Sequence, residues 1–230
     1  VIGFWPANSE NDDIIIYKNN KRKDKLATLH TIRQQMLHSQ NRPNFALSDF
    51  ISPLSKNKII PDYIGGFALT CGHGEDYLSN KFKNDGDDYN SIITKALADR
   101  LVEAFAERMH ERVRKEFWKY SPDENLNNEE LIKEKYIGIR PAHGYPAQPD
   151  HTEKAKLFEL LKVKESIGIN LTENFSMSPS ASISGLYFSN PESSYFGVGK
   201  IDRDQVEDYS KRKKISVEEC EKWLIENLNY

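Results

Sequence analysis

In Ser91-Ile-Ile-Thr-Lys-Ala-Leu-Ala-Asp-Arg-Leu-Val-Glu-Ala-Phe-Ala-Glu-Arg-Met-His-Glu-Arg-Val-Arg-Lys-Glu-Phe-Trp118, the residues Ile93, Leu97, Leu101, Phe105 and Met109 recur every four positions. Phe117 follows two turns on, and Ala96, Ala104 and Val113 broaden the stripe. This spacing predicts one long amphipathic helix with a single apolar face. Glu103 lies beside the stripe. It is either a flank charge paired with Arg100 or with neighbours of Glu107, or a carboxylate aimed into a site.

On the N-terminal side of this helix the pattern is that of strands. Ile14-Ile-Ile-Tyr17 is a β-branched apolar run, Lys18 to Lys25 is a polar turn, and Leu26-Ala-Thr-Leu29 returns as a second strand. The basic cluster in that turn reads as a solvated loop in preference to a docking patch for an acidic partner. A helix is expected over Ile32 to His38. Asp62 to Thr70 reads as a buried strand in which Gly65 and Gly66 permit close backbone approach. Asp12-Asp13 and Asp87-Asp88 are expected to cap the elements that follow them.

On the C-terminal side, Asn127-Asn-Glu-Glu-Leu131 opens a short helix that ends before Gly138. Asp150-x-x-Glu153 resembles a capping box, with a helix through Leu161. Ser180 to Ser189 and Tyr195 to Ile201 read as two strands joined by turn chemistry at Asn190-Pro-Glu-Ser193. A helix near Arg203 to Lys213 follows, and Ser216-x-x-Glu219 opens the last one. Lys211-Arg-Lys-Lys214 then falls at a helix C-terminus, where cations complement the dipole. Hairpins mixed with long helices give an α+β class, a mainly antiparallel twisted sheet with long flanking helices, not a doubly wound one.

Composition narrows the function classes. A net charge of −3 argues against a nucleic-acid protein. No run approaches the roughly 20 apolar residues of a membrane helix. Cys71 and Cys220 cannot make a disulfide framework and read as reduced thiols of a cytoplasmic protein. The opening Val1-Ile-Gly-Phe-Trp-Pro6 lacks a basic leader and starts inside a strand-like run. The expectation is a piece cut from a longer polypeptide.

No Gly-x-Gly-x-x-Gly follows a strand, and Gly197-Val-Gly-Lys200 lacks the spacing of a phosphate loop. The six histidines are scattered, and Cys71-Gly-His73 offers two ligands where zinc needs more. No catalytic residue and no metal ligand is assigned.

The densest chemistry is Arg140-Pro-Ala-His-Gly-Tyr-Pro146. Arg140 offers a fork that matches a carboxylate in bidentate fashion. Gly144 lets a ligand approach the backbone. Tyr145 adds an aromatic face and a hydroxyl. Pro141 and Pro146 stiffen the loop and lower the entropy cost of binding. Such a loop suits a ligand with an amino-acid end and a flat heterocyclic end. It is equally a rigid structural turn whose Arg140 pairs with a local acid such as Glu134.

Arg140-Pro-Ala-His-Gly-Tyr-Pro-Ala-Gln-Pro-Asp-His-Thr-Glu-Lys154 closely resembles the S-adenosylmethionine-binding Arg-x-x-x-Gly-Tyr motif of the activation domain of cobalamin-dependent methionine synthase. The resemblance continues in Phe4-Trp-Pro-Ala-Asn8, Asp62-Tyr-Ile-Gly65, Lys95-Ala-Leu-Ala-Asp-Arg-Leu101, His110-Glu-Arg-Val-Arg114, Glu124-Asn-Leu126 and Asp204-Gln-Val-Glu-Asp-Tyr209. It spans nearly the whole chain, so residues 1–230 are expected to form that domain, as a fragment without its N-terminal part.

The resemblance implies that Arg140 grips the ligand carboxylate and that the backbone around Pro141 and Tyr145 reads the adenine edge. Tyr195 and Phe196 fall at a ligand-contacting aromatic pair. Glu103 matches a helix glutamate that could hold the α-ammonium. The missing N-terminal part supplies an aspartate in the family, and His143 and Gln148 depart from the family pattern inside the loop.

The implied function is reactivation in methionine biosynthesis. Inactive cob(II)alamin is reduced by one electron, from a flavodoxin or another donor, and methylated by S-adenosylmethionine. The cobalamin lies mainly on another domain of the same polypeptide, and the domain is part of a methyltransferase that does not turn over alone. Its work is to position the methyl group. The alternative is a noncatalytic module that senses S-adenosylmethionine or docks partners.

Overall fold

The computed structural model describes residues 1–37, 43–54 and 60–230. The elements in chain order are β1 (Ile2–Glu10), β2 (Asp13–Tyr17), β3 (Lys25–His30), β4 (Asp62–Thr70), α1 (Glu75–Asn84), α2 (Asp88–Arg112), α3 (Asn128–Ile132), α4 (Lys154–Leu161), α5 (Val163–Ile167), β5 (Asn170–Leu171), β6 (Met177–Ser178), β7 (Ser182–Tyr187), α6 (Arg203–Lys213) and α7 (Val217–Leu224). Five strands form one sheet in the order β3-β2-β1-β4-β7, and β5 pairs with β6. β2 runs antiparallel to both β1 and β3, with Ala7 opposite Ile16 and Ile14 opposite Leu29. The α+β class read from the hairpins and helices is the one the chain adopts.

The chain divides into two compact units. The first comprises Val1–Gly3, Gly66–Tyr136 and Leu157–Gly185. Its main helix, α2, is capped by Asp87, whose side chain accepts from the Asn90 N–H. α1 lies against α2, with the Ser79 and Ser91 hydroxyls 2.8 Å apart.

The buried face of α2 is not the one its large residues predict. Leu97, Leu101 and Phe105 are exposed, while Ala98, Val102, Ala106 and His110 are buried. Both sets repeat every four residues and lie about 100° apart around the helix. Small side chains let a helix pack closely, and that face is the one covered.

Past Arg112 the helix widens into a π turn over Val113–Phe117. There Arg114 is fully buried and forks onto Glu124 with two bonds of 2.7 Å. Its guanidinium also lies 4.3 Å from the centre of the Tyr136 ring. One buried cation thus fastens the irregular segment that follows the helix. Cys71, in this unit, is half-buried with a free thiol.

The second unit comprises Phe4–Gly65, Ile137–Lys156 and Leu186–Tyr230. Ile14, Ile15 and Ile16 of β2 are all buried, so this strand is covered on both faces, which explains its unbroken apolar run. The turn between β2 and β3 is mostly exposed, in keeping with a solvated loop. Within it Arg22 donates to the Asp62 carbonyl at 2.7 Å and rests on the Tyr63 ring. A core of Ile32, Val198, Ile201, Val206, Tyr209, Cys220 and Leu224 seats α6 and α7. Ser216 caps α7 by accepting from the Glu219 N–H. The Cys220 thiol is buried, and burial pushes its pKa up to about 11.

Four local expectations fail in this unit. Residues 31–37 are not helical, and His38 lies outside the described residues. Side-chain amides take the backbone groups a helix would use: Gln205 accepts from the Arg33 N–H and donates to the Arg33 carbonyl. The Gln34 N–H goes to the Phe45 carbonyl at 2.9 Å, and the Gln34 side chain bonds the Phe45 N–H and the Gly197 carbonyl. Tyr195 to Ile201 is not a strand either. Its Val198 N–H goes to the Pro146 carbonyl at 2.8 Å, so it pairs with a loop, and Gly199 turns with φ +72°.

Asp150 does cap a turn, through the Thr152 N–H, but the helix starts only at Lys154 and Glu153 does not reach back. Glu153 instead accepts from the His30 N–H at 3.0 Å. Asp12 and Asp13 are not caps: Asp12 pairs with Arg33, and Asp13 with His30 and Arg212.

Candidate functional site

The Arg140 segment leaves the sheet as a short strand-like extension. The Ile139 N–H donates to the Phe188 carbonyl at 3.1 Å and the return bond is 3.0 Å. The Leu186 N–H donates to the Pro141 carbonyl at 2.9 Å. Pro141 has no N–H to donate, so the pairing stops there. The chain then closes a tight hairpin. Gly144 N–H donates to the Gln148 carbonyl at 2.7 Å and Gln148 N–H to the Tyr145 carbonyl at 2.9 Å.

Gly144 has φ +86°, a region open to glycine at little cost. A Cβ there would also lie 2.0 Å from Cε1 of His151. The backbone therefore favours glycine, and any side chain there would also have to displace the exposed His151 ring.

Further bonds pin the loop from outside. The Tyr195 hydroxyl accepts from the Arg140 N–H at 3.0 Å. The Pro146 carbonyl holds Val198, and Gln148 Nε2 donates to the His30 carbonyl at 2.9 Å. Tyr145 is 63% exposed and Tyr195 40%, so both rings are accessible to a ligand. Phe196 faces the other way, 6.1 Å from the ring centres of both Phe45 and Phe50.

Arg140, Pro141, Gly144, Tyr145, Tyr195 and Phe196 thus belong to one unit. Glu103 stands exposed on α2, in the other. Tyr195 is fifty-five residues from Arg140, and no local signal gives the bond between them. Sequence reasoning also misses His151, although a glycine with a bulky near neighbour is the trace it leaves in the sequence.

Beneath the loop lies a buried polar network. Asp150 accepts from the Thr152 N–H and the Tyr209 hydroxyl, both at 2.8 Å, and from the Lys213 ammonium. Glu153 accepts from Lys156 at 2.9 Å and pairs with Lys213 at 3.2 Å. Burial works most strongly to raise the Asp150 pKa, but the Lys213 cation together with the hydrogen bonds from Thr152 and Tyr209 outweighs it, and the carboxyl is held low. Burial works to lower Lys213, and Asp150 with Glu153 outweighs it in turn. Burial and Asp150 together push the Tyr209 hydroxyl well up, so it stays a donor.

His143 is 3% exposed, and its Nδ1 is buried without a hydrogen bond. Burial holds its pKa down to about 4 against an ordinary 6.5. Between those values the unfolded chain takes up a proton that the folded chain refuses. The contribution is therefore complete above pH 6.5 and lost as pH falls towards 4. At roughly 1.4 kcal/mol per pKa unit it is on the order of 3 kcal/mol. Urea melts across this window should show that slope, and it should flatten in His143→Phe. An equal slope in the variant would assign the proton uptake elsewhere.

Among the described residues no helix is long and apolar enough to cross a membrane, and no group of His, Cys, Asp and Glu is placed to hold a metal.

A sequence model described as "Vitamin B12 dependent methionine synthase, activation domain" matches residues 1–214. Among solved structures, the chain is similar to the crystal structure of the MetH reactivation domain bound to AdoHcy. That match has a TM-score of 0.96 and 54% identity, and covers 100% of this chain and 70% of that chain.

Proposed function

Because the chain belongs to the activation-domain family of vitamin B12-dependent methionine synthase, we propose that it binds S-adenosylmethionine on the 140–148 loop and presents the methyl group for reactivation of the enzyme. The domain is part of a methyltransferase and is not itself catalytic. The similar reactivation domain was solved with AdoHcy, which is S-adenosylmethionine without the transferred methyl. A site for one offers the other the same adenosine and amino-acid contacts.

The observation that carries the reading is the pinning of Arg140. Its N–H is held by the Tyr195 hydroxyl at 3.0 Å, and the adjoining residues are held by Phe188 and Leu186. A guanidinium on a fixed backbone can meet a carboxylate with little ordering cost. The exposed rings of Tyr145 and Tyr195 supply faces for the adenosine, and the backbone at Pro141 and Gly144 lets its edge approach. Phe196 seats Tyr195 on the Phe45 and Phe50 rings.

Bound on another domain, cobalamin would supply the reduced cobalt nucleophile for the methyl. A sulfonium is a good leaving group and needs no general base, so this chain's contribution is orientation. The proposal includes a cobalamin-carrying domain in the same polypeptide and a flavodoxin or other one-electron donor. It also includes a cytoplasmic setting, in keeping with the free thiols of Cys71 and Cys220.

Calorimetric titration tests the reading, with S-adenosylmethionine as ligand and S-adenosylhomocysteine and ATP as controls. Saturable binding is expected, and Arg140→Ala should weaken it by roughly 1.5–3 kcal/mol for each charge-assisted bond lost. Equal affinity in that variant would take Arg140 out of the site.

A further inference from the structure

The geometry points to His151 as a positioning residue for the ligand loop, a brace whose imidazole fixes the Gly144–Tyr145 backbone. The inference rests on the reading of that loop as the S-adenosylmethionine site. An L side chain on Gly144 would begin 2.0 Å from Cε1, 2.3 Å from Nδ1 and 2.6 Å from Nε2 of His151. Three ring atoms therefore crowd the one direction in which other residues carry a side chain. The imidazole occupies that place, so a group seven positions along the chain acts as the packing surface of Gly144.

A brace must itself be held. His151 is the first residue of a 3-10 turn, His151–Glu153, whose cap is the buried Asp150. Asp150 is tied to Tyr209 and Lys213 of α6. Glu153, at the other end of the turn, is tied to the His30 N–H and to Lys156. The ring thus stands on a base anchored at both ends.

The loop needs this support because glycine has the greatest backbone freedom of any residue. Gly144 makes one backbone bond, to Gln148, and the Tyr145 ring is largely exposed. Packing from His151 removes the freedom that a positive φ required the sequence to introduce. Lys154, Asp150 and Glu226 are the charged groups near the imidazole, and burial with Lys154 shifts it towards the neutral form. A flat, uncharged ring is what a backbone contact of this kind calls for.

The test compares S-adenosylmethionine affinity in the unsubstituted chain, His151→Ala, His151→Phe, Gly144→Ala and the double variant His151→Ala/Gly144→Ala. His151→Ala should bind roughly tenfold more weakly, the scale of lost preorganisation, and His151→Phe should recover most of the affinity. Gly144→Ala should be more damaging with the imidazole in place than in the His151→Ala background, where the added methyl has room. The unsubstituted chain should also show a Gly144 Hα resonance displaced upfield by the ring, lost in His151→Ala. Intact binding with unchanged affinity in His151→Ala would overturn the brace alone, as would failure of His151→Phe to recover it. No binding by the unsubstituted chain would overturn the functional reading, and with it this role.

Discussion

Glu124→Ala is expected to lower the stability of the first unit by about 3–5 kcal/mol, the cost of leaving a buried charge without its partner. Arg114 is fully buried, and Glu124 supplies both of its short ion-pair bonds. One guanidinium nitrogen, Nη1, already makes no hydrogen bond. After the substitution the Tyr136 ring face is the main compensation left, and a cation–π contact is worth about 2 kcal/mol when desolvated. Urea melts followed by Trp118 fluorescence, with Trp5 and Trp223 replaced by Phe, would measure the loss. The double variant Arg114→Met/Glu124→Leu should suffer less than Glu124→Ala, since no charge then remains to be desolvated. A loss below about 1 kcal/mol in Glu124→Ala would mean that the guanidinium finds water.

Asp150→Ala should damage stability and ligand binding together. The carboxylate is 1% exposed and collects the Thr152 N–H, the Tyr209 hydroxyl and the Lys213 ammonium. Its removal leaves Lys213 with Glu153, at 3.2 Å, as its carboxylate partner beside the Thr152 hydroxyl, and frees the turn on which His151 stands. A loss of about 3–5 kcal/mol is expected. Asp150→Asn should keep the bonds from Thr152 and Tyr209 while losing the charge, and should fall between the two.

The acid titration separates this group from His143. The Asp150 pKa is lowered below its ordinary 3.8, so its contribution is present above that value and is lost as pH falls below it. The His143 contribution is lost between 6.5 and about 4. Two distinct declines are therefore expected, and Asp150→Asn should shrink only the lower one, to which Asp13, also held low, contributes as well.

The sequence is most legible where the deciding interactions are local. Ile14 to Tyr17 and Asp62 to Thr70 are strands and Arg203 to Lys213 is a helix, as their patterns predict, because periodicity and caps act within a few residues. The same local evidence points to the wrong face of α2. Leu97, Leu101 and Phe105 carry more apolar area than Ala98, Val102 and Ala106, and hydropathy cannot show that the smaller set packs. The helix expected from Ile32 fails through Gln205, more than 170 residues away. In the candidate site, residue chemistry singles out the Arg140, Gly144 and Tyr145 triplet but leaves it equally a structural turn. The hydroxyl that pins Arg140 and the ring that fills the space over Gly144 are set by tertiary folding.

The two thiols differ in a way that gives the chain an internal clock. Cys220 is sealed in the core of its unit and stays protonated until about pH 11, whereas Cys71 is half-buried in the other unit. An alkylating reagent at neutral pH therefore meets Cys220 only when the α6–α7 core opens. The rate at which the second equivalent reacts then counts those openings, without any engineered label.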